Sequence, residues 1–159
     1  MLDVIVMQEI NTLELEQFRK HLEYCEDKTL RNLNPFFKVK MFELKFSVSP
    51  SVIILQAFPD AKPEKAQIIE RSENEFSDGV IDFFSQLEST SQENQFKIAY
   101  EFLETLKSVI KLEHSKIWEY LPDHSSFDRL YDYIGWGFTY IIVEESNRQC
   151  LIIHGGYID

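Results

Sequence analysis

Glycine is scarce in this chain, and its five residues form neither a GxGxxG turn nor a P-loop, so the backbone cradles that hold phosphate groups are missing. The two cysteines, Cys25 and Cys150, have no paired spacing that would indicate a disulfide framework or a metal knuckle. They read as buried thiols of a reducing cytoplasm. HxxxH, CxxC and HxH pairs are absent as well, and neither a metal nor another cofactor is expected. Uninterrupted apolar runs such as residues 52–55 stop at about four residues, and Met1-Leu2-Asp3 lacks a basic leader region. A cytoplasmic protein without a membrane partner is the expectation.

Positive charge is the other shortage. The net charge is −11, and between Arg71 and Lys97 no Lys or Arg occurs. Glu73, Glu75, Asp78, Asp82, Glu88 and Glu93 all fall in that interval. Such a field repels nucleic acid and anionic membrane and attracts a basic surface. Basic residues interleaved with aromatics are limited to Lys38, Lys40 and Lys45 around Phe42 and Phe46, a poor nucleic-acid surface on so acidic a chain.

What the chain does have is apolar substance. Its 159 residues are 44% hydrophobic and 14% aromatic, enough for one domain over residues 1–159 with its own core. Residues 92–112 show the strongest pattern. Phe96, Ala99, Leu103, Leu106 and Ile110 form one stripe, Ile98, Phe102 and Val109 a second, and only Lys97, Glu101, Glu104, Ser108 and Lys111 form a polar strip. An apolar arc roughly 200° wide, twice that of a surface helix, predicts a central helix packed on more than one side. Thr90 and Glu93 have the spacing of a capping box at its start.

The remaining segments are arranged around that helix. Residues 2–7 alternate as a strand, and Asn11 with Glu14 opens a helix to about residue 26 whose face is Leu15, Phe18, Leu22 and Cys25, with His21 beside it. Residues 38–48 read as a strand whose polar parity switches at Met41-Phe42, the mark of a β-bulge that would turn Phe42, Leu44, Phe46 and Val48 to the core. After Ser49-Pro50-Ser51, residues 52–58 read as a covered strand, and residues 66–71 fit either a strand paired with it, the reading preferred, or the first turns of a helix. Ser77 and Asp78 then resemble the start of a helix bearing Val80, Ile81, Phe83, Phe84 and Leu87. Beyond the central helix, residues 115–121 read as a short helical continuation stopped by Pro122. Ser125 with Asp128 opens a last helix carrying Phe127, Leu130, Tyr131 and Ile134, with Gly135 at its C-terminal cap. Residues 138–145 and 149–154 form a hairpin about Ser146-Asn147-Arg148. The order indicates an α+β single domain: an antiparallel sheet with helices packed on one side and a C-terminal β-hairpin.

Asp123, His124, Ser125 and Ser126 contain the residue types of a hydrolase triad, but neighbours in sequence point apart, and Ser125 is better explained as a helix cap. His154 before Gly155-Gly156, and Trp136 between Gly135 and Gly137, mark places where backbone can approach a ligand. His124, Tyr131, Trp136 and His154 therefore define one expectation, a small enzyme or ligand-binding domain with its site by the hairpin. The leading expectation is a non-enzymatic acidic interaction module. In it Glu73, Glu75, Asp78, Asp82, Glu88 and Glu93 steer a basic protein partner, as in the small acidic immunity proteins by which bacteria neutralise basic nuclease toxins.

Overall fold

A computed structural model of the chain describes residues 7–28, 34–86, 92–122 and 137–158. In chain order these form β1 (Met7–Ile10), α1 (Leu13–Lys28), β2 (Asn34–Leu44), α2 (Pro50–Ala57), β3 (Gln67–Arg71), α3 (Glu73–Gln86), α4 (Gln92–Val109), β4 (Lys116–Leu121), β5 (Gly137–Glu144) and β6 (Gln149–Ile158). The strands make one six-stranded sheet in the order β1-β2-β6-β5-β4-β3, antiparallel at every pairing. This is the α+β architecture expected, with β5 and β6 as its C-terminal hairpin.

Alternation in the strands sends side chains to two separate cores. Tyr140, Ile142, Leu151 and Ile153 meet α1, α3 and α4 on one side. Ile141, Val143, Cys150 and Ile152 meet Ile53, Ile54 and Ala57 of α2 on the other. The three long helices thus share one side, and the short α2 lies opposite. Two-sided burial accounts for the unbroken apolar runs of β5 and β6.

It also accounts for the parity switch in β2. Val39 and Met41 belong to the three-helix core and Phe42 and Leu44 to the α2 core. The pairing with β6 runs without interruption from Asn34↔Ile158 to Glu43↔Gln149, so there is no bulge at Met41-Phe42. The strand ends at Leu44, and Phe46 is 50% exposed rather than in the core.

α4 occupies the centre of the helical layer. The ring of Phe102 lies 5.2 Å from that of Phe18 in α1 and 5.5 Å from that of Phe84 in α3, so the helix is packed on both flanks as well as on the sheet. Phe96 departs from the expected stripe and is partly exposed. The face expected for α1 is realised, with Leu15, Phe18, Leu22 and Cys25 all buried. Its cap is Thr12, whose Oγ1 accepts from the Leu15 N–H at 3.0 Å. Asn11 instead donates from Nδ2 to Glu16 Oε1 at 2.7 Å.

Three other segments differ from expectation. Residues 52–58, read as a strand, belong largely to α2: Pro50 fits the first helical position, Ser49 Oγ accepts from the Val52 N–H, and burial of Ile53, Ile54 and Ala57 follows helical spacing. β3 therefore pairs with β4 and not with the segment before it. Residues 115–121, read as helical, contain β4, where Ile117 faces the three helices and Trp118 and Tyr120 the α2 side. α3 begins at Glu73 rather than at Ser77. Of the expected strand at 2–7 only Met7 is among the described residues, where it opens β1; Thr90 and the helix expected from Ser125 to Gly135 lie outside them.

Candidate functional site

α3 carries the acidic stretch. Phe76, Val80, Phe83 and Phe84 are buried, fixing which side of the helix faces the core. At about 100° per residue, Glu75, Asp78 and Asp82 fall within roughly 60° of one another on the opposite side. All three are exposed. Glu73, the first residue of the helix, falls on the core side of the wheel, is half-buried and does not join them. Glu88 lies outside the described residues, and the side chain of Glu93, in the first turn of α4, is not described.

Local contacts hold the stripe in place. Glu75 accepts from the Ser72 N–H at 2.9 Å, and its own N–H donates to Ser72 Oγ at 3.1 Å. Hydrogen bonding of the carboxyl to the backbone and side chain of Ser72, with Arg71 nearby, keeps Glu75 below the usual carboxylate range. Asp82 Oδ2 accepts from Gln86 Nε2 at 3.2 Å. Arg71 lies beside the stripe, 3.7 Å from Glu75 and 2.9 Å from Glu119 of β4, so this base is already engaged by acids. The field reaches the sheet: the Tyr140 phenol is held above its usual range first by burial, then by Glu119, with Asp82 and Glu75 adding to the effect and Arg71 opposing it.

Of the residues expected by the hairpin, His154 alone is among the described residues. His154 is fully buried, with Nδ1 2.8 Å from Thr139 Oγ1 and 3.2 Å from the Phe138 carbonyl. The rings of Phe36 and Phe58 lie 5.8 and 6.3 Å from its imidazole. His124, Tyr131 and Trp136 lie outside the described residues.

A pair that sequence spacing did not single out is Cys25 and His21, whose Sγ and Nε2 are 3.4 Å apart. The nucleophile in such a pair must be a thiolate. Here burial, with Glu101 and Glu26 adding to it, pushes the Cys25 thiol up to about 12, and burial lowers the His21 imidazole. At neutral pH both are neutral, a packing arrangement and not an activated pair. Among the described residues, no group of three or more His, Cys, Asp or Glu is placed to hold a metal ion, and no helix is long and apolar enough to cross a membrane.

No protein-family model matches the chain, and no curated protein does. Solved structures do. A crystal structure of citrus MAF1 in space group P 31 2 1 superposes with a TM-score of 0.63 at 16% identity, over 87% of this chain and 98% of that one. Citrus MAF1 in space group C 2 2 21 superposes with a TM-score of 0.61 at 14% identity, over 91% and 99%. At such identity the likeness is one of fold, and it extends over nearly the whole of each citrus chain.

Proposed function

We propose that this protein is an acidic interaction module that binds a basic protein partner in the cytoplasm through the exposed face of α3. The observation that carries this reading is the convergence of Glu75, Asp78 and Asp82 on one stripe, with no Lys or Arg on the helix to neutralise it. Fixed, like-signed carboxylates on a rigid helix steer an oppositely charged surface toward contact and disfavour anionic competitors. Such steering raises the association rate and makes it fall with salt. The concrete form we favour is an immunity-type inhibitor, in which the acidic face covers the basic surface of a protein such as a nuclease toxin.

The test is capture from a host lysate at low salt, comparing the natural protein with the triple variant Glu75→Lys, Asp78→Lys, Asp82→Lys, whose folding is checked by circular dichroism. A basic protein that the natural form retains, that moderate salt releases and that the folded variant fails to hold supports the reading. Equal retention by both forms, or none by either, overturns it.

A further inference from the structure

Lys45 and Arg148 border a hollow of about 320 Å3 on the α2 side of the sheet, away from α3. Its floor is apolar, made by Leu44 of β2, Trp118 of β4 and Val143 of β5, and Phe46 stands half-exposed at its wall. The volume lies in the range of small-ligand pockets, roughly 300–1,000 Å3, and an apolar floor with a few polar groups at the rim is their usual composition.

Arg148 is held at the rim in an unusual way. Its φ of 52° makes it the one non-glycine residue in the left-handed region among the described residues, at a hairpin position that glycine or asparagine ordinarily fills. Its N–H donates to the Glu145 carbonyl at 3.1 Å, and its own carbonyl accepts from the Leu44 N–H at 2.7 Å. The backbone is thereby fixed on both sides of a long cationic side chain. Strain kept at a position where a smaller residue would relieve it points to use of the side chain. The acid at this rim, Glu145, is 3.6 Å from Lys116, whereas no ion pair holds Lys45 or Arg148 among the described residues. On a chain of net charge −11, this hollow is thus edged by two unmatched cations.

We propose that the hollow binds a small aromatic carboxylate, its ring against Trp118 and Phe46 and its anionic group taken by Arg148 and Lys45. A guanidinium matches a carboxylate with two parallel hydrogen bonds, and the apolar floor removes the ring from water. A neutral aromatic gains only the second of these terms, and an aromatic amine is repelled. This inference is independent of the acidic face of α3, which lies on the other side of the sheet.

The experiment is a two-dimensional amide NMR titration of the whole chain with 1-naphthoate, 1-naphthalenemethanol and 1-naphthylmethylamine. Naphthoate is expected to shift the Trp118 indole N–H saturably and to bind about tenfold more tightly than the alcohol, the loss expected for one charge-assisted contact. The amine should leave that resonance in place. Arg148→Gly and Arg148→Asn both tolerate the left-handed backbone and should erase the preference for the acid while the melting temperature holds or rises. Phe46→Ala, at an exposed site, should weaken acid and alcohol alike. Equal affinity for all three probes, an unchanged preference in both Arg148 variants, or shifts confined to the opposite face would overturn the proposal.

Discussion

Ser72 and Glu75 satisfy each other's backbone at the start of α3: the Ser72 N–H donates to the Glu75 carboxylate at 2.9 Å, and the Glu75 N–H donates to the Ser72 hydroxyl at 3.1 Å. The exchange fixes where the helix begins and hence which acids share its outer face. Ser72→Ala is expected to cost about 1 kcal/mol, the usual value of an N-cap hydroxyl, and to lower the melting temperature by roughly 2–4 °C. The carboxyl side of the exchange depends on pH. Because the folded Glu75 carboxyl titrates below its ordinary value of 4.5, its contribution is present above that value and is lost as pH falls through the folded one. Thermal melts of the natural protein and of Glu75→Gln should differ most near pH 6 and converge toward pH 3. A constant difference across that range would contradict the assignment.

Gly79 faces Tyr140 so closely that a Cβ there would collide with the phenol oxygen. Alanine in place of a mid-helix glycine normally stabilises by about 0.5–1 kcal/mol. Here the sign reverses, because Tyr140 is buried between Phe76, at 4.7 Å, and Phe138, at 5.5 Å, and has no room to retreat. Gly79→Ala should destabilise by about 1–3 kcal/mol, the range for overpacking. Adding Tyr140→Phe removes the colliding atom and should recover most of that loss. A denaturant series on the two single variants and the double variant reads the coupling directly.

Segments whose pattern fits one kind of element were legible in the sequence, and segments whose apolar residues fit a strand and a helix equally well were not. The faces of α1 and α4 repeat at helical spacing for several turns, and the hairpin is marked by two β-branched runs about a polar turn. Val52-Ile53-Ile54-Leu55, by contrast, has apolar residues in every position, which fits a covered strand as well as a short helix. Only the Ser49-Pro50 pair, a cap followed by proline at the first helical position, separates the two. Ile117, Trp118 and Leu121 also fit a helical face, and β4 is recognised as a strand by pairing with β3 and β5, which is remote in sequence. On α3 the Ser72–Glu75 spacing before Phe76 was the signal that outranks Ser77. The acidic stripe was legible as composition. Its geometry, with Glu75, Asp78 and Asp82 together and Glu73 apart, depends on where the helix starts.

The two cysteines should be silent in the folded protein. Burial pushes both Cys25 and Cys150 up to about 12, so almost no thiolate exists at pH 8. A thiol reagent is expected to label neither residue in native buffer and both in denaturant. The same shift sets an alkaline limit. Folded thiols titrate above unfolded ones, so their contribution is complete below the unfolded value near 9 and is lost as pH rises toward 12. The denaturant midpoint should therefore fall between pH 9 and pH 11, and Cys150→Ala should reduce that fall. Rapid labelling of either cysteine at pH 8 would show that its core opens readily.

Phe102 and Tyr100 test whether α4 is central. Two residues apart on one helix, they are fully buried and 58% exposed respectively. The Phe102 ring contacts rings from α1, β2 and α3, with Phe18, Phe37 and Phe84 all within 6.0 Å, so its removal leaves a cavity where three elements meet. Phe102→Ala should cost about 3–5 kcal/mol, and Phe102→Leu markedly less because most of the volume is kept. Tyr100→Ser should stay within about 0.5 kcal/mol of the natural protein. Hydrogen exchange sharpens the distinction. If α4 joins the flanking helices into one core, Phe102→Ala should speed exchange in α1 and α3 as well as in α4. Faster exchange confined to α4 would mean that the flanking helices are held by the sheet alone.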